Sequence, residues 1–133
     1  MIYSDNLDIE FIRKYPNNQN WIKISCHKLS EDFIREFQDK IRWNHVCSRL
    51  KLSENLIRDF KDRVNWTYIT RYQNLSDNFI REFQDQIDWR ILCYNKQLSK
   101  SFIIEFADKI NFHLIILNNK ISKEIKDYCR MFI

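Results

Sequence analysis

The residues of this chain that could carry covalent or metal chemistry are three histidines, four cysteines and a recurring set of serines and carboxylates. A metal site needs several His, Cys or carboxylate ligands converging at short, fixed spacings. His27, His45 and His113 stand apart, and none pairs with a ligand at such a spacing. Cys26, Cys47, Cys93 and Cys129 are all more than four residues from one another, so no Cys-x-x-Cys motif exists. The chain has no glycine, hence no glycine-rich phosphate loop. No cofactor, metal or catalytic residue is expected, and the chain reads as a non-enzyme. What remains is recognition chemistry. His45, Arg49, Tyr68, Arg71, Tyr72, Arg90 and Tyr94 offer aromatic surface and guanidinium forks. Such residues are enriched where proteins bind proteins. The same mix can stack on RNA bases and bond phosphates.

A tandem repeat must position these side chains. Trp21, Trp43, Trp66 and Trp89 are spaced 22, 23 and 23 residues apart, and Phe112 follows 23 later. Segments 29–43, 52–66, 75–89 and 98–112 are copies of one unit, 7–21 is a looser copy, and 121–129 begins a last one. A fixed step of this size is the mark of stacked-repeat architecture. One repeat domain is expected over 1–133. It comprises an irregular N-terminal repeat (1–28), regular repeats at 29–51, 52–74, 75–97 and 98–120, and a C-terminal capping helix at 121–133.

Columns of the repeat are numbered from its leading Leu. Column 2 is Asp8, then Ser30, Ser53, Ser76, Ser99 and Ser122. These are helix N-caps, whose side-chain oxygen accepts an orphan N–H of the first turn. Columns 1 and 6, such as Leu29 and Ile34, flank the cap as a hydrophobic staple. Apolar residues at columns 5, 6, 9 and 13 predict a first helix of about three turns. Column 14, Asn20, Asn65, Asp88 and Asn111 with Arg42 as the exception, predicts the cap of a second helix that begins at the Trp. Column 18 (Ile24, Val46, Ile69, Leu92 and Ile115) lies one turn on, and this helix runs about two turns. Helices so short do not stand alone in water. Stacked on their neighbours they make an all-α solenoid of short paired helices, with the Phe, Ile and Trp columns as its core. Pro16 is expected to end the first helix early. The apolar run 112–117 needs a cover, which the helix after 121 is placed to supply.

The copies can be compared with one another. Columns that repeat faithfully carry folding, and columns that vary are free for a partner. The faithful polar columns are 7 (Arg13, Arg35, Arg58 and Arg81) and 11 (Asp39, Asp62, Asp85 and Asp108). Asp near a helix C-terminus opposes the dipole. An i,i+4 pair with the column 7 Arg, or a bond to backbone N–H groups at the turn, would account for it. The variable polar positions lie on the second helix and its exit, where the seven recognition residues fall.

Composition agrees with a folded helical protein. Hydrophobic residues make up 44% and charged ones 30%. With one proline and no glycine, hairpin turns are poorly served. No apolar run approaches the ~18 residues of a membrane span, and the start shows no signal-peptide pattern. The net charge of +4 is spread along the chain without a basic block, which argues little for nucleic acid. Cys47 and Cys93 share column 19 and read as free thiols used as small apolar residues in a reducing compartment. The abundance of Ile, Asn, Lys and Phe beside a single Ala points to an AT-rich genome.

The unit resembles the short Leu-Ser-Glu-x-Phe-Ile…Asp-x-Val-x-Trp tandem repeats carried by many proteins of mimivirus-like giant DNA viruses. Leu52, Ser53, Ile57, Phe60, Asp62, Val64 and Trp66 all fit the pattern, which covers about residues 7–120. Leu56 for Phe and Phe112 for Trp are mild departures. The resemblance implies a viral helical-repeat protein made in host cytoplasm or carried in the virion, and brings no catalytic residues. The expected function is a protein-interaction module, either a viral assembly subunit or a binder of a host factor. Nucleic-acid binding is the alternative, and a passive structural role a third. No membrane partner is expected.

Overall fold

The computed structural model describes residues 7–133. The first six residues of the repeat expected at 1–28 lie outside it. All regular structure among the described residues is helical: eleven α-helices and one 3-10 turn. The chain forms two compact units, one ending at Asn74 and one running Leu75–Ile133.

The first unit holds α1 (Ile9–Lys14), α2 (Trp21–Ser25), α3 (Glu31–Glu36), α4 (Trp43–Arg49), α5 (Glu54–Asp59) and α6 (Trp66–Tyr72). The second holds α7 (Asp77–Glu82), α8 (Trp89–Asn95), α9 (Lys100–Glu105), α10 (Phe112–Leu117) and α11 (Lys123–Arg130). Odd-numbered helices up to α9 are the first helices of their repeats, and even-numbered ones are the second. Second helices pack on their counterparts in the next repeat: α2 on α4 and α4 on α6, then α8 on α10, with α11 closing on α10. This is the expected all-α solenoid of short paired helices, present in each unit.

Every predicted Ser cap forms. Ser30, Ser53, Ser76 and Ser99 accept the N–H of Phe33, Leu56, Phe79 and Phe102 at 3.0–3.1 Å, and Ser122 that of Ile125 at 3.4 Å. Asn20, Asn65, Asp88 and Asn111 cap the second helices, and Arg42 makes no side-chain cap. The staple residues Leu29, Leu52 and Leu98 are buried with Ile34, Ile57 and Ile103. Phe33, Leu56, Ile69, Leu92 and Ile115 form the driest part of the interiors.

Three expectations need correction, and the first carries the Trp column with it. The first helices are six residues long, not three turns. The chain leaves the helix at the column 9 Phe, and the turn carries Ile41, Val64, Ile87 and Ile110 of column 13 back into the interior. Ending early frees the column 10 carbonyl, and the indole N–H takes it. Trp21, Trp43, Trp66 and Trp89 donate to Pro16, Gln38, Lys61 and Gln84 at 2.7–3.1 Å. The Trp column is therefore half-buried and amphipathic, not core. Each of three rings lies on a Phe of the following repeat within its unit: Trp21 on Phe37 at 5.4 Å, Trp43 on Phe60 at 5.0 Å, Trp89 on Phe106 at 5.2 Å.

Second, Pro16 does not shorten its helix. α1 has the same six residues as α3, and Pro16 opens the 3-10 turn Pro16–Asn18. Third, the column 7 arginines do not pair with column 11 of their own repeat. Three of them reach column 8 of the next one. Arg13 forks onto Glu36 at 2.7 and 3.0 Å, Arg35 bonds Asp59 at 2.8 Å, and Arg81 forks onto Glu105 at 2.6 and 2.8 Å. Column 11 is a second ladder: Asp39 meets Arg63, and Asp85 meets Lys109. The first helix is too short to align columns 7 and 11 as i,i+4 neighbours, whereas stacking puts successive repeats side by side. Hydrogen bonds from Arg13 and Arg81 hold the Glu36 and Glu105 carboxyls below their ordinary range, against an opposing cost of desolvation. These pairs are exposed and add little stability each. They fix register.

The cover over 112–117 forms in part. Phe132 stacks on Phe112 at 5.1 Å, and Ile115 is fully buried. Leu117 stays 60% exposed.

Candidate binding surface

Column 19 holds the junction between successive repeats. The Ser25 hydroxyl accepts the Arg42 backbone N–H at 2.8 Å. In two later copies the acceptor is sulfur: Cys47 takes the Asn65 backbone N–H and Cys93 that of Asn111. These thiols are thus more than small apolar residues. Each satisfies the N–H of a cap residue that begins a second helix. All four cysteines are free, and only Cys26 is exposed. Burial pushes the Cys47 and Cys93 thiols up, partly offset by the hydrogen bond each accepts, and burial also raises Cys129. Thiolate is the reactive form. Native protein treated with a thiol-reactive dye should label at Cys26 within minutes, with the remaining three released only on unfolding. Fast labelling of Cys47 or Cys93 would contradict the packing.

Above this scaffold sit the side chains singled out for recognition. Tyr68, Arg71 and Tyr72 come together on α6. The two rings meet edge-on at 6.0 Å, and the Arg71 guanidinium lies 5.9 Å over the Tyr72 ring. Tyr72 is 52% exposed and Arg71 is exposed, while Tyr68 is half-buried. His45 and Arg49 stand on α4, the helix packed against α6. His45 is half-buried beside a shallow cleft that Ile22, Ile41 and Trp43 also line. Arg49 closes α4 and is exposed. Arg90 and Tyr94 belong to the second unit, one turn apart on α8 and both exposed. Five of the seven residues therefore share the α4–α6 layer of the first unit, and two mark α8 of the second.

The repeat comparison does not single out the buried amides Gln73 and Asn118, 2% and 1% exposed. Gln73 donates to the carbonyls of Cys47 and Leu50 at 2.7 Å and accepts the Leu52 N–H at 2.9 Å. Asn118 donates to the carbonyls of Cys93 and Lys96 at 2.8 and 2.7 Å. Both close the exit of the preceding second helix, whose last carbonyls have no intrahelical partner. They are structural.

Among the described residues no group of three His, Cys, Asp or Glu side chains is arranged to hold a metal, and no helix is long and apolar enough to cross a membrane. Comparison with family models, curated proteins and solved structures finds no match for the chain.

Proposed function

We propose that this protein is a non-catalytic helical-repeat module for protein–protein interaction. The observation that carries the reading is the Tyr68–Arg71–Tyr72 cluster, an aromatic and guanidinium group with Arg71 and Tyr72 exposed, on α6, which packs on α4, the helix of His45 and Arg49. The fold does not need it: the core columns around it repeat, while these positions change from copy to copy. Tyr and Arg are the side chains from which binding hot spots are most often built. Solenoids commonly hold a rigid scaffold constant and vary one face for a partner. Resemblance to giant-virus repeats extends the proposal to a viral assembly subunit or a binder of a host factor, acting in host cytoplasm.

The test is capture of partners from host-cell lysate, infected and uninfected, with wild-type protein and the Tyr68→Ala/Arg71→Ala double variant. A specific partner should be lost or weakened in the variant while its melting curve stays close to wild type. A partner retained in full would move the site elsewhere on the molecule, with Arg90 and Tyr94 tested next.

A further inference from the structure

Charge that is evenly spread along the chain is sharply divided by repeat column. Segments 21–28, 43–51, 66–74, 89–97 and 112–120 cover the second helices and their exits, and they contain no Asp or Glu. All three histidines fall there. In the first unit these segments carry Lys23, Lys28, Arg49, Lys51 and Arg71. Among the described residues the carboxylates lie on the first helices, the turns after them, the caps and α11.

Helix electrostatics explain only part of this. Cations at the ends of α4 and α6 suit the C-terminal dipole. The same dipole favours acids in a first turn, and α1, α3 and α5 have them. Yet the first turns of α2, α4 and α6 have none. Exclusion of carboxylates from positions where the backbone favours them calls for another cause, such as an anionic partner. The geometry adds a cleft at the same place. Successive exits in the first unit border an open groove lined by Cys26, His27, Lys28, Arg49 and Lys51, with Leu29 and Leu50 as apolar lining and no acidic side chain.

We infer that the α2–α4–α6 layer of the first unit, centred on this groove, docks an extended acidic segment of a partner protein. This rests on the interaction-module reading and names the partner's chemistry. Lys28 and Lys51 each stand immediately before the leading Leu of the next repeat, and packed helices lie about 8–10 Å apart. A segment in the extended polyproline II conformation rises ~3.1 Å per residue with about three residues per turn, so carboxylates three residues apart share one face and match that step. Leu50, half-buried at the groove, accommodates an apolar residue between them. A nucleic-acid strand fits less well, because a base needs an open aromatic shelf. Tyr72 already carries Arg71 over its face and Tyr68 against it.

The experiment uses the full chain and three fluorescent probes: a proline-rich peptide of about 12 residues (~37 Å as polyproline II) with Glu at every third position, the same peptide with Lys for Glu, and a single-stranded oligothymidylate. Anisotropy should show binding of the Glu peptide in preference to both others, weakening as salt rises. Arg49→Glu/Lys51→Glu should lower that affinity by at least about tenfold, since like charges then face each other. Arg49→Gln/Lys51→Gln should fall between, and both variants should melt like wild type; the Gln pair carries the test if the Glu pair does not fold. No binding of the Glu peptide, equal binding of the Lys peptide, tighter binding of the oligonucleotide, or full affinity in the charge-altered protein would overturn the inference. A captured partner that depends on Tyr68 and Arg71 but not on Arg49 and Lys51 would keep the module and sink the acidic segment.

Discussion

Phe33→Ala should remove about 3–5 kcal/mol of stability, a large share of what a domain of this size has. Phe33 is fully buried, its ring 4.6 Å from Phe37 and 6.3 Å from Trp21. Its neighbours belong to two successive repeats, so truncation opens a cavity at their junction. Short helices held by stacking cannot close around such a hole without losing the contacts that keep them helical. Trp43→Ala should cost less, because the ring is half-buried. Phe112 shows that a repeat tolerates loss of the indole N–H, since Phe stands there in the Trp column. Denaturant unfolding of the two variants would check the order. Trp43→Ala as the more damaging change would restore the Trp column to the core.

The reason these columns can be ranked from sequence, and others cannot, lies in how local each signal is. A Ser cap, a Leu–Ile staple and an apolar column at fixed step are set by residues within one turn of one another. They read directly from a single copy, and all are present. The column 7 to column 8 ladder escapes such a reading because its partners stand 23–24 residues apart, as Arg13 and Glu36 do. Within one copy, column 11 offers the nearest opposite charge at helical spacing, and only stacking brings the next repeat closer. First-helix length is overestimated for a related reason. Column 13 keeps helical spacing from column 9, but a turn delivers it to the interior equally well. Column 19 does hold a clue. Ser25, Cys47, Thr70 and Cys93 are small and able to accept a hydrogen bond, which apolar packing alone would not select. Of the candidate surface, the Tyr68–Arg71–Tyr72 cluster is legible from column variation. The charge division is hidden when charge is summed along the chain instead of down the columns.

Gln73→Ala should be the most costly polar substitution in the first unit. The amide is buried and makes three bonds that no water can replace without opening the exit of α4. Its removal strands the carbonyls of Cys47 and Leu50 and the N–H of Leu52. A buried polar group left unsatisfied costs about 1–3 kcal/mol. With partial relaxation at an exit loop, a total of about 2–4 kcal/mol is expected. Gln73→Glu separates this bonding from simple volume. It is nearly isosteric and keeps an oxygen for the Leu52 N–H, but replaces the donating NH2 with a second oxygen facing two carbonyls. At neutral pH it should destabilise at least as much as Ala, because a carboxylate is then desolvated among acceptors. Those surroundings disfavour the charged form, so the introduced carboxyl would have a folded-state pKa above its unfolded value. The unfolded chain releases its proton first as pH rises, and the variant loses stability through that window. Lowering the pH through it restores a donor to one carbonyl and should recover part of the loss relative to wild type. A Gln73→Glu protein as stable as wild type at neutral pH, or one whose deficit does not shrink on acidification, would show that the clasp is packing and not hydrogen bonding.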